Sequence, residues 1–515
     1  HLTAYLANHR EEQRSRDRNW ESPYGDYRYT IGLSERLDFT PRDHFSFVGE
    51  YVSDSRFRSD YKELRVREIS QPMTLANYEH RENAWATSLS AGGPLNKFYA
   101  GVQRLPEWRF DVVPQNVFGI PKLYYESQSS VGWFRRQPAK NRGVYNNRYR
   151  YTPGNWAYYD SARIDTRHIL RRPFTIVDGV TLTPRLGWEG TYYSDSPDGD
   201  SYFRSLFEMG LTLQARFWRD YEKYRHTFTP YVDVMYVPGS HMDEDDVPYA
   251  FDRIDQAYEW NDRFASDGLT PKHRYTGVRL GARNLWQKRG EENILTRYLD
   301  VDAYGIFVAQ TQDHWVHWTN RDQPGRHNNR RMPATRVKEE KGLRVLGLDA
   351  VFSPTRKIDF MTDFQYDPEE GRLAFWDIGV RARWEKFTFY TGYLRRNHDM
   401  YDYYWMDSIK DSLVYGGFVH SLCDTVDWSV YARYNLEFGE LEEVGGFFQY
   451  SLDCISFRLN MEYLTSYETD DGYKHDSDFK VSFGVWLRAF PREEDHDWMS
   501  WGNLTNMRQL EDVKK

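Results

Sequence analysis

Cysteine is nearly missing from this chain, with Cys423 and Cys454 the only two among 515 residues. That excludes a small disulfide-stapled scaffold, and the absence of any CxxC excludes the usual cysteine zinc and redox motifs. No run of about 18 apolar residues occurs, so a helical membrane span is excluded. Basic charge is not in excess. The 68 Lys plus Arg stand against 77 Asp plus Glu, for a formal charge of -9, which offers no basic field to a nucleic-acid backbone. GxGxxG, Walker and HExxH patterns are also absent. Carboxylates abound, as in MDEDD at Met242 to Asp246, but nothing in the sequence brings a pair to catalytic spacing on a rigid element. His314, His317 and His327 share a connector with Trp315 and Trp318 and read as part of a solvated loop, not a metal site. The expectation is a protein with no enzymatic activity, no metal and no cofactor.

What the chain does have is aromatic residues, 17% of the total, with 40 Tyr, 30 Phe and 18 Trp, and a period of two. In FKVSFGVWLRAFP the alternate positions Phe479, Val481, Phe483, Val485, Leu487 and Ala489 are apolar, while Lys480, Ser482, Gly484, Trp486 and Arg488 lie between them. This is a strand with one apolar and one largely polar face. WSVYARYNLEF sets Trp428, Val430, Ala432, Tyr434, Leu436 and Phe438 against Ser429, Tyr431, Arg433, Asn435 and Glu437. CISFRLNMEY and TLTPRLGWEGTYY repeat the pattern, with Pro184 marking a bulge, break or unpaired edge because it cannot donate to a ladder. Aromatic rings near stripe ends suit a membrane interface, where one side of the ring is apolar and the other wet. A mean hydropathy of -0.82 fits strands that hide half their residues in a polar interior.

Similar stripes fall at about 26–38, 44–53, 84–92, 97–105, 107–114, 124–135, 160–168, 204–218 and 226–237. They continue at about 274–286, 296–309, 343–352, 357–366, 372–384, 387–396, 411–420, 427–438, 441–450, 454–465 and 478–490. No helix of about 12 residues interrupts them. The long polar connectors are 54–83, 136–159, 194–203, 238–273, 310–342, 397–410 and 466–477. Running antiparallel strands back from Phe490, with that end in the periplasm, puts every one of them on the exterior side, as an up-and-down membrane barrel requires. The fold class expected is therefore all-β, a large antiparallel transmembrane β-barrel in the bacterial outer membrane, with about 22 strands counted here. HLTAYLAN is a short first strand, and HLTAYLANHR has neither a start Met nor an apolar core, so a mature protein or a fragment is expected. The first strand is too short to match the last, which predicts an open edge at the N-terminal strand or a strained short pairing with the last. Residues 1–490 read as barrel and 491–515 as a periplasmic tail.

Cys423 and Cys454 sit at the periplasmic starts of two rising strands, roughly 10 Å apart at about 4.8 Å per strand. An internal disulfide, pairing with a missing segment or partner, and free thiols all remain open. Arg321, Arg326, Arg330 and Arg331 lie within the exterior connector HWVHWTNRDQPGRHNNRRMP. They are either a solvated loop's charges or contacts for headgroup phosphates, which guanidinium groups bind bidentately.

EYVSDSRFRSDY (Glu50 to Tyr61), LPEWRFDV (Leu105 to Val112), LTPRLGWEGTYY (Leu182 to Tyr193), RHTFTPYVDVMYVP (Arg225 to Pro238) and YTGVRLGARN (Tyr275 to Asn284) resemble the outer-membrane lipopolysaccharide assembly protein family LptD, in its order and with similar spacing. YSLDCISFRLNMEY resembles its late barrel strand, though Ile455 follows Cys454 where the family often has a second cysteine. The resemblance implies a barrel of about 26 strands, with a periplasmic jelly roll upstream, a plug lipoprotein of the LptE type, and a periplasmic bridge protein of the LptA type that reaches it through that missing domain. It implies a translocon that passes lipopolysaccharide through a polar lumen and a lateral gate into the outer leaflet. Phe479, Val481, Phe483, Val485 and Leu487 would form one lip of that gate. The alternation alone fits a general or substrate-specific porin equally well.

Overall fold

The computed structural model describes residues 2–8, 27–53, 74–96, 101–137, 159–196, 200–239, 251, 274–290, 294–311, 314–316, 335–337, 341–369, 371–398, 409–437, 439–465, 467–468, 474–475 and 477–487. All the regular structure in these segments is strand. In chain order they are β1 (Leu2–Asn8), β2 (Tyr27–Asp38), β3 (Asp43–Val52), β4 (Thr74–Arg81), β5 (Trp85–Gly93), β6 (Gly101–Asn116), β7 (Tyr124–Gln137), β8 (Tyr159–Arg171), β9 (Phe174–Val177) and β10 (Val180–Tyr193). Next come β11 (Tyr202–Ala215), β12 (Phe217–Asp220), β13 (Tyr224–Val237), β14 (Tyr275–Arg289), β15 (Leu295–Thr311), β16 (His314–Val316), β17 (Thr335–Val337), β18 (Gly342–Thr355) and β19 (Ile358–Asp367). The last are β20 (Arg372–Arg383), β21 (Phe387–His398), β22 (Ile409–Cys423), β23 (Val426–Asn435), β24 (Glu440–Ser451), β25 (Ile455–Leu464), β26 (Tyr467–Glu468), β27 (Lys474–His475) and β28 (Asp478–Leu487).

One sheet holds 24 of these strands, and β16–β17 and β26–β27 form separate two-stranded ribbons. β9 and β12 are four-residue pieces that carry β8 and β11 past their turn-side ends. Setting those two aside leaves 22 strands from the 24, each antiparallel to its sequence neighbour in the sheet. Sequential hairpins explain this order. Each short turn fixes the register of the next strand, and a one-residue slip would turn every apolar side chain to the wrong face.

The terminal strands do not close the sheet. β1 pairs with β2, from Leu2 opposite Leu33 to Asn8 opposite Tyr27, and β28 pairs with β25, from Leu464 opposite Asp478 to Ile455 opposite Leu487. No ladder joins β1 to β28 among the described residues. The open edge predicted at the N-terminal strand is therefore present, and the reading as a transmembrane β-barrel is corrected to a single open antiparallel sheet. Alternation reports how each strand meets its sequence neighbours, whereas closure depends on the first and last strands, which no local pattern couples.

Two further corrections concern individual strands. β4 falls inside the connector assigned to 54–83. Its sequence, TLANYEHR, alternates poorly in hydropathy but is held by ladders to β3 and β5. The stripes at 97–105 and 107–114 are one strand, β6, with register shifts around Pro106 and Val113. Residues 491–515 lie outside the described segments.

Candidate transport surface

The sheet has two chemically opposite faces. β11 carries Phe203, Phe207, Met209, Leu211 and Leu213 exposed on one side, with Phe203 59% exposed, while Arg204, Leu206 and Glu208 on the other side are buried. The same exposed side carries Leu186, Leu280, Phe307, Ile378, Val430, Phe448 and Met461 on strands across the sheet. At the short-turn end of this face, His226 stacks on Trp286 at 4.1 Å and Tyr221 on Trp286 at 5.8 Å, the amphipathic rings expected where a hydrocarbon layer gives way to water.

The opposite face is a mesh of charge, and the alternation explains why. Positions two apart along a strand share a side, so Ser161, Arg163, Asp165 and Arg167 of β8 all point the same way and all are buried. Buried charges persist only when paired, and here the partners come from neighbouring strands. Arg104 and Arg163 approach Glu107 at 2.9 and 3.8 Å. Thr191 donates to Asp165 at 2.7 Å, and Arg204 lies 3.6 Å from Glu189. Arg167 and Arg185 share Glu208 at 3.4 and 3.1 Å, and Arg185 continues to Asp233 at 2.7 Å. Tyr231 donates to both oxygens of Asp302, which Arg279 also approaches at 3.4 Å.

Beyond Asp302 the mesh changes character. Asp302 stands opposite Asp349, Asp349 opposite Asp363 and Asp363 opposite Asp377, a row of four carboxylates across β15, β18, β19 and β20. Phenols flank it. Tyr415 donates to Asp377 at 3.4 Å, and Tyr431 donates to Glu443 at 2.8 Å. Glycines on adjacent strands make room for these rings. A Cβ at Gly347 would run into the Tyr304 ring, and one at Gly392 into Tyr415.

At the long-connector end the polar-face positions turn apolar. Val52, Phe134, Tyr193, Leu206, Val237, Tyr275, Ile306, Val308 and Val345 are each at most 3% exposed. This layer is the core of the molecule, and it lies on the polar side of the sheet. Asn96 joins it, its side chain both accepting from the Val52 N–H at 3.1 Å and donating to the Val52 carbonyl at 2.8 Å.

Residues singled out from sequence fall in three places. Phe479, Val481, Phe483 and Val485 are 62, 54, 67 and 49% exposed on the apolar face of β28, and Leu487 opposes Ile455 in the ladder. Cys423 and Cys454 are free, exposed thiols at the short-turn end. Arg321, Arg326, Arg330 and Arg331 lie outside the described residues. Among the described residues no group of three or more His, Cys, Asp or Glu is placed to hold a metal ion. The buried arginines and the aspartate row escaped the sequence reading. Their signal was present as charges at alternate positions, as in Arg163, Asp165 and Arg167, but cross-strand partners appear only once register is known.

The model of the family described as LPS transport system D matches residues 26–277. This segment belongs to the LptD family. No curated protein matches the sequence. Among solved structures, the chain is similar to the FrpB iron transporter of Neisseria meningitidis, F5-1 variant, at 8% identity, over 81% of this chain and 74% of that one, with a TM-score of 0.40. It is also similar to the siderophore receptor PirA of Acinetobacter baumannii, at 7% identity, over 90% and 74% of the two chains, with a TM-score of 0.39. These solved neighbours are iron and siderophore receptors and not lipopolysaccharide translocons. The expectation of a lipopolysaccharide translocon with a lateral gate is corrected on that finding, together with its LptE-type plug and LptA-type bridge. What stands is a protein of the outer membrane.

Proposed function

We propose that this chain carries a polar solute across the outer membrane along the charged face of its sheet, as a general or substrate-specific channel protein. The observation that carries this reading is the segregation of the two faces. One presents Phe, Leu and Met side chains about half exposed, as contact with hydrocarbon requires, and the other holds paired Arg, Asp and Glu from β6 to β15. A hydrated solute exchanges its water for hydroxyls, guanidinium groups and carboxylates along such a face without crossing an apolar barrier. The work needs no covalent step.

The test is uptake of small sugars by cells that lack their own general porins, with and without the full-length protein. Protein-dependent uptake is expected, saturating if the face selects its solute and linear in concentration if it does not. Equal uptake with and without the protein sinks the reading.

A further inference from the structure

At the short-turn end, β12, β13 and β14 set a block of aromatic and basic side chains on the apolar side of the sheet. Arg219 stands opposite His226, and His226 opposite Trp286. Two residues nearer the turns, Tyr221 meets Tyr224 through the backbone bond that closes the β12–β13 hairpin, and Tyr224 stands opposite Lys288. Trp286 and Lys288 share their side of β14 with Leu280, which is 61% exposed on the apolar face. The rings are stacked. Tyr221 lies 5.8 Å and His226 4.1 Å from Trp286, and the Arg219 guanidinium sits 5.3 Å from the centre of the Tyr221 ring. Tyr224 carries the aromatic band on to Tyr298 of β15 at 5.3 Å.

Arg219 and Lys288 are exposed, and no ion pair joins either of them to an acid among the described residues. Asp220, beside Arg219 in the chain, is taken by Arg225 at 2.8 Å and Arg289 at 3.2 Å, on the other side of β12 as alternation requires. Glu222 lies in the turn, exposed. The two unpaired cations occupy opposite corners of the block, two strands across and two residues along. At about 4.8 Å per strand and 3.4 Å per residue their Cα atoms are roughly 12 Å apart, a gap that an arginine and a lysine side chain close together.

We infer that this block binds the phosphate of an anionic phospholipid of the phosphatidylglycerol class at the edge of the bilayer. The inference rests on the assignment of faces and not on transport. The block continues directly into Leu280 of β14 and Leu211 and Leu213 of β11, exposed on the side that contacts hydrocarbon, so the acyl chains lie along that surface while the headgroup reaches the rings. Arg219 offers the phosphate a guanidinium fork held by the Tyr221 ring, and Lys288 a point charge from the opposite corner. The rings suit the boundary because one side of each is apolar and the other wet. In a chain of formal charge -9, two unpaired cations at the rim of an apolar face complement the charge of such a lipid. Outer-membrane strand proteins keep their short turns on the periplasmic side, which is the leaflet of phospholipid.

The test is native mass spectrometry of the full-length protein released from detergent with one added lipid at a time: phosphatidylglycerol, diacylglycerol of the same chains, or lipid A. Wild type is expected to retain phosphatidylglycerol severalfold above diacylglycerol, and the double variant Arg219→Gln, Lys288→Gln to fall to the diacylglycerol level. A control carrying Lys357→Gln and Lys386→Gln, cations of other short turns, loses the same charge and should retain phosphatidylglycerol as wild type does. Tyr221→Leu keeps both cations and removes the ring under the guanidinium; it should lose part of the retention, and it decides the matter if the double variant does not fold. Wild-type retention in a double variant with wild-type tryptophan fluorescence overturns the inference, as does an equal loss in the control. Retention of phosphatidylglycerol no better than diacylglycerol in wild type overturns it too. If lipid A is retained above phosphatidylglycerol, the phosphate belongs to a glycolipid and the assignment to phospholipid is wrong.

Discussion

Replacing Asn96 by alanine should destabilise the protein more than any comparably small change on its surface. Above Val48 the β3–β4 ladder ends, so on that side the backbone of Val52 has no strand neighbour among the described residues. The Asn96 amide stands in for one. Its Oδ1 accepts from the Val52 N–H and its Nδ2 donates to the Val52 carbonyl, with Val52 0% and Asn96 2% exposed. Asn96→Ala leaves a buried donor and a buried acceptor without partners, each costing about 1–3 kcal/mol, for a total of about 2–6 kcal/mol. Asn96→Asp should lose nearly as much despite similar size, because a carboxylate accepts from the N–H but presents a second acceptor to the carbonyl. The assay is urea unfolding of detergent-solubilised protein followed by tryptophan fluorescence, comparing midpoints at equal slope. If both variants unfold within about 0.5 kcal/mol of wild type, a magnitude typical of surface changes, the amide clamp is not what holds the upper end of β3.

Three other outcomes follow from the same geometry. Leu280→Arg, at a position 61% exposed on the apolar face, should cost about 2–4 kcal/mol in lipid vesicles if it lies near the bilayer midplane, and a neutral result in guanidine titrations would reverse the assignment of faces. Gly347→Ala should cost about 1–3 kcal/mol through collision with the Tyr304 ring, and Tyr304→Leu in the same chain should recover part of that loss. Asp363→Asn should be stabilising by about 1 kcal/mol, because the amide can keep the side-chain hydrogen bond to Asp349 while it removes like-charge opposition to Asp377; a loss of stability would show that the carboxylate row is held by charge and not merely tolerated.

The sequence by itself determined the strands, their faces and the order in which they pair. A period of two needs only local information, since Phe479, Val481, Phe483 and Val485 must share a side whatever lies beside them. The absence of helix-period segments and of long apolar runs then left an up-and-down sheet. β4 escaped because Tyr78 and His80 blur its alternation, and its evidence lies in the ladders to β3 and β5. The length of the first strand already pointed to an open edge, but only the tertiary structure decided against a closed barrel, because a ladder between β1 and β28, absent among the described residues, is a contact between distant strands that periodicity does not encode. It alone decided the candidate surface as well. Asp302, Asp349, Asp363 and Asp377 are far apart in sequence and become a row only through register. Phe251 reads as one aromatic in a polar connector until it is found against Phe134. Charge pairing and packing across strands act through space at a few ångströms, and the sequence records them only as residues separated by whole hairpins.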